Sequence, residues 1–186
     1  AASWSTRRFG LPRAVDPETE VLVLNGSREG LFFAAIAAAR YVEPRKGTPA
    51  ILMPNPFYPA YAAGARAAGC EAVFLPTVRE NGFLPDLDSL STETLERTVA
   101  FYLASPANPQ GAVASRAYFD RVKQLADRYG FIVLSDECYS EIYTQDAPGS
   151  MLASAGNDFA NVVAFQSLSK RSNLPGMRVG FVAGDA

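Results

Sequence analysis

Short apolar segments recur along the chain and set its most visible pattern. There are seven of them, rich in Val, Ile, Leu and Phe: VLVL (21–24), AILM (50–53), AVFL (72–75), VAFYLA (99–104), FIVL (131–134), VVAF (162–165) and VGFVA (179–183). Each is apolar almost throughout and does not alternate with polar residues, which is typical of strands buried on both faces. The pattern therefore predicts seven strands with both faces covered.

Several of the segments between these runs carry helical patterns. Residues 28–42 are rich in Ala, residues 59–68 also fit a helix, and residues 115–129 open with Ser115 as a plausible N-cap. Residues 82–98 indicate a loop and a short polar helix before the fourth strand. Strands that alternate with helices predict an α/β fold, a three-layer α/β/α sandwich around a mostly parallel sheet of seven strands.

Polar residues and glycines cluster directly after the predicted strands. The clusters are Asn25–Ser27, Pro54–Pro56, Ser105–Asn108, Asp136 and Ser167–Lys170. In open parallel sheets, ligands bind at the carboxyl ends of the strands. The sequence therefore predicts one ligand site along this edge of the sheet.

Composition narrows the classes of function. The 186 residues are 48% hydrophobic and carry a net charge of −2, which indicates a globular protein without a basic surface for nucleic acid or a basic arm for a membrane. The longest apolar run, residues 31–39, is too short to span a bilayer. We therefore expect neither a nucleic-acid partner nor a membrane partner.

Histidine and cysteine usage limits the chemistry further. The chain has no His, which excludes Ser-His-Asp and Cys-His mechanisms and most zinc sites, so a general base must be Lys, Asp, Glu, Tyr or Cys. Cys70 and Cys138 are far apart and form no CxxC motif. They indicate two reduced, buried cysteines of a cytoplasmic protein, and no metal site is expected.

The segment LNGSREGLF (24–32) has the order strand, tight turn and helix. The backbone N–H groups of Gly26, Ser27 and Arg28 would face an anion there, supported by the helix dipole. The segment matches neither GxGxxG nor a Walker A motif, and any strand-to-helix turn can use Gly-Ser. Taken alone, it is compatible with an ordinary turn.

Two further segments place polar groups at the same edge. Asp136 ends an apolar strand in VLSDECY (133–139), where a carboxylate is costly unless it caps a helix, forms a salt bridge or meets a cationic ligand. Tyr139, three residues later, could present its phenol to the same ligand. In the turn SPANPQG (105–111), Asn108 is the side chain that could donate a directed hydrogen bond.

The segment QSLSKRSNLPGMR (166–178) places Lys170 beside Ser167 and Ser169, with Arg178 eight residues later. A lysine that traps a carbonyl group must be deprotonated, while hydroxyls and a planar guanidinium suit a phosphate. Considered alone, this segment is better explained by a solvated surface loop.

Together, the ordered segments resemble the large domain of the class I/II aminotransferases, which are fold type I pyridoxal-phosphate enzymes. The resemblance rests on SxSK followed by GxRxG (176–180), on SPxNPxG and on the Asp-x-x-Tyr pair, and it covers almost the whole chain. NGSREGLF and SLSKRSNLPGMRVGFVAGD are further similar to the N-succinyldiaminopimelate aminotransferases.

The resemblance implies pyridoxal 5′-phosphate as the cofactor, and it implies which residues would contact the aldehyde and the ring. Lys170 would bind the cofactor as a Schiff base and later carry a proton, and Asp136 would pair with the pyridine nitrogen. Tyr139 and Asn108 would donate hydrogen bonds to the ring oxygen. Tyr58, in NPFYPAY (55–61), would stack on the ring.

The resemblance also implies which residues would bind the phosphate of the cofactor. Arg178, Ser167 and the amides of Ser27 and Arg28 would hold the phosphate in the turn that begins at Gly26. The resemblance implies that Ser169 lies near the phosphate and does not bind it directly.

The reaction implied is a ping-pong transamination in a cytoplasmic homodimer. An amino acid, N-succinyl-LL-diaminopimelate in the first place, would pass its amino group to a 2-oxo acid such as 2-oxoglutarate, a step of lysine biosynthesis. Residues 1–186 would form the cofactor-binding large domain, and we expect an N-terminal segment and a small C-terminal domain, with the arginine for the substrate carboxylate, to lie outside the chain.

Four alternatives remain open at this point. Aspartate or another amino acid could be the substrate, or the same scaffold could catalyse a β-elimination. Aminotransferase-like domains also act as ligand sensors in transcription regulators. A plain nucleotide-binding α/β domain would account for the strand pattern but not for the ordered motifs.

Overall fold

A single seven-stranded sheet forms the centre of the molecule in a computed structural model that describes residues 1–186. The strands are β1 (Val21–Leu24), β2 (Ala50–Asn55), β3 (Glu71–Pro76), β4 (Thr98–Ala104), β5 (Ile132–Asp136), β6 (Val162–Ser167) and β7 (Gly180–Gly184). Every predicted strand is present, with bounds that differ from the apolar runs by at most two residues. The spatial order is β1-β7-β6-β5-β4-β2-β3.

One strand runs against the others. β7 pairs antiparallel with both β6 and β1, whereas the remaining pairs are parallel. The carboxyl ends of β1, β2, β4, β5 and β6 therefore meet at one edge of the sheet. The amino end of β7 joins them, which brings the residues just before Gly180 to that same edge.

Helices cover the two faces of the sheet. They are α1 (Ala2–Phe9), α2 (Ser27–Tyr41), α3 (Pro59–Ala67), α4 (Thr92–Arg97), α5 (Arg116–Tyr129) and α6 (Leu168–Arg171). The predicted N-cap of α5 is confirmed, because the Ser115 hydroxyl accepts a hydrogen bond from the Tyr118 amide at 3.1 Å. The sequence pattern did not predict α1, and a loop was expected where α6 lies.

Two apolar cores fill the space between the layers. Leu52, Phe101 and Val133 point to one face, where they join Phe119 and Val122 of α5. The neighbouring strand residues point to the other face and pack against α2 and α3; they are Ile51, Met53, Ala100, Tyr102 and Leu134. This alternation of apolar side chains on both faces confirms the predicted three-layer sandwich.

Burial on both faces does not extend to the edge strands. In β1, Leu22 is 63% exposed and Val23 is 73% exposed, and in β3 Phe74 is 43% exposed. The prediction of two covered faces is therefore wrong for β1 and β3. These strands lie at the two ends of the sheet order, where fewer elements pack against them. None of the helices combines the length and the apolar character needed to cross a membrane.

Candidate functional site

A cleft of about 540 Å³ opens at the edge where the strand ends meet. It brings together ten of the eleven residues predicted for the site: Ser27, Arg28, Tyr58, Asn108, Asp136, Tyr139, Ser167, Ser169, Lys170 and Arg178. Gly26, the eleventh, lies in the turn immediately before Ser27. The prediction of one site at this edge is thus matched by the position of the side chains.

Gly26 allows the close approach of an arginine to the turn that starts α2. Its φ of 92° is in a region that favours glycine, and a Cβ atom there would lie 2.1 Å from Nη2 of Arg178. The turn therefore leaves room for the guanidinium directly beside the first amides of α2. This end of the cleft combines a cation with backbone donors and suits an anion.

Two hydrogen-bond donors hold the carboxylate of Asp136, which also lines the cleft. Its Oδ2 accepts a hydrogen bond from the Tyr61 hydroxyl at 2.6 Å, and its Oδ1 accepts one from the Cys138 amide at 3.2 Å. Tyr61 is itself fixed, because its ring stacks on Tyr102 with 4.2 Å between the centroids. The carboxylate therefore has a set orientation toward the cleft.

Tyr61 was not among the residues predicted for the site. Burial, and then the charge of Asp136, raise the pKa of Tyr61 well above its usual value, so the phenol stays protonated and donates. The spacing contained a signal: Tyr61 follows Tyr58, the N-cap of α3, by three residues, and their rings meet with 5.8 Å between the centroids.

Lys170 and Tyr139 lie close together in the cleft. Nζ of Lys170 lies 5.9 Å from the centroid of the Tyr139 ring, and Lys170 forms no ion pair. Burial, and then the charge of Asp136, raise the pKa of Tyr139. Lys170 and Asn108 are both exposed, so their polar groups are available to a ligand.

Lys170 lies in a short helix, Leu168–Arg171, within a segment that the simplest interpretation of the sequence treats as a loop throughout. The Ser167 hydroxyl caps this helix by accepting a hydrogen bond from the Ser169 amide at 3.1 Å. Arg171 lies over the ring of Trp4 in α1, with 4.2 Å from its guanidinium carbon to the centroid. The missed helix α1 thus contacts the residue next to Lys170.

Other side chains of the anion end are also positioned by contacts. The Cys138 thiol lies 3.3 Å from the Ser27 hydroxyl, and the Arg28 side chain donates a hydrogen bond to the Tyr58 hydroxyl at 2.7 Å. Arg178 pairs with Glu29 at 2.8 Å. The Arg28 side chain therefore points to Tyr58, which leaves the backbone amide of Arg28 as its group for an anion.

A buried acid supports the floor of the site. Glu137 is fully buried next to Asp136, and it accepts hydrogen bonds from the hydroxyls of Ser135 and Ser150, from the Met151 amide and from the Gln166 amide group, all between 2.9 and 3.0 Å. Burial raises the pKa of Glu137 to about 7, although the hydrogen bonds from Met151, Ser150 and Ser135 act in the opposite direction. Glu137 joins β5, β6 and the segment at Ser150.

The donor set fits pyridoxal 5′-phosphate. A phosphate matches the guanidinium and helix amides at one end, a pyridine nitrogen matches the oriented Asp136 carboxylate, and an aldehyde matches the exposed Lys170 amine. No cluster of three or more His, Cys, Asp or Glu residues that could hold a metal ion is present. The cleft therefore has the polar groups that this organic cofactor requires.

Comparison with known proteins agrees with this geometry. The family model for aminotransferase class I and II matches residues 9–186. The chain belongs to the class I and II aminotransferases, a family of pyridoxal-phosphate-dependent enzymes. This confirms the resemblance and the cofactor class that the sequence motifs indicated.

Relatives and solved structures give the same result. The chain is 42% identical to an LL-diaminopimelate aminotransferase of Syntrophobacter fumaroxidans over 100% of the chain and 46% of that relative, so it spans about half the relative's length. An aminotransferase structure from Neisseria meningitidis superposes with a TM-score of 0.88 at 41% identity, over 99% of this chain and 47% of that one. A probable N-succinyldiaminopimelate aminotransferase from Thermus thermophilus gives 0.86 at 32% identity, over 99% and 47%.

Proposed function

We propose that the chain is the cofactor-binding large domain of an aminotransferase that moves an amino group between an amino acid and a 2-oxo acid. One observation carries the proposal: the cleft joins Lys170, Asp136 and Arg178, which come from three different strand ends. An amine, an oriented carboxylate and a guanidinium match the three functional ends of pyridoxal phosphate.

Asp136 would hold the pyridine nitrogen in its protonated form. Its two donors, the Tyr61 hydroxyl and the Cys138 amide, hold the carboxylate in a fixed orientation toward the cleft. With the nitrogen protonated, bound pyridoxal phosphate withdraws electrons from the substrate Cα and makes its proton acidic.

Lys170 would hold the cofactor covalently and, once the substrate amine has replaced it, move the proton at the substrate Cα. The 5.9 Å between its Nζ and the Tyr139 ring places this amine beside the phenol. Tyr139 and Asn108 would donate hydrogen bonds to the ring oxygen, and Tyr58 would pack against the ring.

The phosphate would be bound by Arg178, the amides of Ser27 and Arg28, and Ser167, with Ser169 adjacent. Gly26 makes this arrangement possible because it has no Cβ atom. Ser167 is almost fully buried and caps α6, so its hydroxyl would reach a phosphate only while it also holds that helix end.

For the substrate we propose diaminopimelate, either free or N-succinylated. Two relatives support the free form, because the proteins of Syntrophobacter fumaroxidans and Aquifex aeolicus are named LL-diaminopimelate aminotransferases. The Thermus thermophilus structure supports the succinylated form. The proposal includes a cytoplasmic homodimer, and two free, buried cysteines agree with a reducing compartment.

Borohydride reduction tests the site assignment. The chain has only three lysines, Lys46, Lys123 and Lys170. After incubation with pyridoxal phosphate and reduction, peptide mass spectrometry is expected to find the pyridoxyl group on Lys170, because only this lysine lines the cleft. A dominant adduct on Lys46, which is exposed, or on Lys123, which pairs with Asp127, would contradict the assignment.

Half-reaction spectra test the substrate. The protein that carries this chain, loaded with pyridoxal phosphate, is mixed with LL-diaminopimelate, its N-succinyl derivative or aspartate. With a diaminopimelate substrate, we expect the absorbance of the bound cofactor to change from that of its aldehyde form to that of its amine form. Conversion by aspartate alone would show that the diaminopimelate proposal is wrong while the transaminase proposal stands.

A further inference from the structure

Glu29 places a carboxylate at the phosphate end of the cleft. It lies in the first turn of α2, and its Oε2 accepts a hydrogen bond from Nη2 of Arg178 at 2.8 Å. Arg178 has one other hydrogen bond, a long one of 3.4 Å to the Pro175 carbonyl. The residue assigned to the cofactor phosphate is therefore engaged by an anion of the chain itself.

The pair lies directly on the turn that would receive the phosphate. A Cβ atom on Gly26 would be 2.1 Å from Arg178 Nη2 and 2.8 Å from Glu29 Oε2. The pKa of Glu29 is lowered, first by a hydrogen bond from its own backbone amide and also by Arg178. The carboxylate thus stays ionised and uses a helix amide and a guanidinium, the two kinds of donor that suit a phosphate.

This ion pair can open. The side chains of Arg178 and Glu29 are 41% and 49% exposed, so water solvates both groups after separation. Two anions cannot share the guanidinium closely without repulsion. A phosphate that binds at Gly26 would therefore compete with the Glu29 carboxylate for the guanidinium of Arg178.

We propose that Glu29 is an internal competitor that occupies the phosphate subsite of the free protein and lowers its affinity for the cofactor. The inference rests on the proposed function, since it assumes that Arg178 receives a phosphate. It predicts that Glu29 weakens the binding of ligands that carry a phosphate and leaves other ligands unaffected. If Glu29 instead held Arg178 in place for the phosphate, its removal would weaken the same ligands.

The test compares Glu29→Gln with Glu18→Gln in the full chain. Both changes remove one negative charge, but Glu18 is exposed and forms no ion pair. Each variant is titrated with pyridoxal phosphate and with pyridoxal, which has no phosphate, and circular dichroism verifies that it is folded. Glu29→Ala is a second variant in case the glutamine disturbs the turn.

We expect Glu29→Gln to bind pyridoxal phosphate about threefold to tenfold more tightly, a range typical of losing one exposed ion pair together with a repulsion. Its affinity for pyridoxal and both affinities of Glu18→Gln should remain at the wild-type values. An unchanged or weaker affinity for pyridoxal phosphate, or an equal gain for pyridoxal, would overturn the inference. If borohydride leaves no adduct on Lys170 of the wild type, the proposed function fails. If the adduct forms but the affinity for pyridoxal phosphate relative to pyridoxal is the same in Glu29→Gln as in the wild type, only the role of Glu29 fails.

Discussion

Replacing Lys170 with alanine is expected to abolish covalent binding of pyridoxal phosphate and to reduce transamination by about ten-thousand-fold in the protein that carries this chain. That size corresponds to the upper end of what a positioned acid–base group contributes. The reason is structural: Lys170 is the one lysine in the cleft, so no other amine can take over either of its tasks. The measurement is the rate of the half-reaction together with the absorbance of the bound cofactor.

Lys46→Ala is the matched control, because Lys46 is exposed and lies outside the cleft. It should leave both the rate and the spectrum unchanged. Added small amines should restore part of the activity of Lys170→Ala, because they can enter the space vacated by the side chain. Wild-type activity in Lys170→Ala would remove Lys170 from the mechanism.

Replacing Glu137 with leucine is expected to destabilise the fold by about 3 kcal/mol or more. The change leaves the Met151 amide and the Gln166 side chain buried without their acceptor, and each such loss costs about 1–3 kcal/mol. Domains of this size are stable by only about 5–15 kcal/mol, so the variant should unfold at clearly lower urea concentration. Glu18→Leu, an exposed change, should remain within about 0.5 kcal/mol of wild type.

The same residue predicts a pH dependence of stability. Because the pKa of Glu137 is raised from 4.5 to about 7 in the folded protein, the folded state holds a proton that the unfolded chain has released. This contribution to the free energy of unfolding is complete below pH 4.5 and is lost as the pH rises through about 7, a decrease of about 3 kcal/mol.

Glu137→Gln should lack this decrease, because glutamine does not titrate. Its carbonyl oxygen can accept the three bonds that Glu137 Oε1 accepts, and a rotation of the Gln166 amide can supply the fourth partner. Urea unfolding between pH 4.5 and 7.5 measures the difference between the two proteins. A constant difference over this range would show that Glu137 is not the titrating group.

The sheet could be predicted from the sequence because its central strands are apolar on both faces. β4, from Thr98 to Ala104, is buried along almost its whole length and has a sequence signal to match. The exposure of Leu22 and Val23 could not be predicted in this way, because an edge position depends on the order of strands in space. α1 was missed because Ala2–Phe9 mixes Arg, Ser and Thr with few apolar residues.

The residues that line the cleft could be predicted because each one belongs to a short motif next to the end of a strand. The partners that orient them have no such motif. Tyr61 contacts Asp136 only because the packing of α3 against α2, β2 and β3 brings its hydroxyl to the end of β5. Glu29 reaches Arg178 only because β7 returns to the same edge. Contacts of this kind depend on tertiary packing, which one sequence without a structure does not specify.

The reversed direction of β7 has a consequence for how the site assembles. Since β6 and β7 are neighbouring antiparallel strands joined by the segment of α6, Lys170 and Arg178 belong to one local unit of consecutive residues. Their relative position is set as soon as these two strands pair, whereas Asp136 and Ser27 must arrive from distant parts of the chain. The amine and the guanidinium therefore have a spacing that is fixed by this local unit alone. An insertion between Ser172 and Met177 would separate them while the rest of the sheet remained intact.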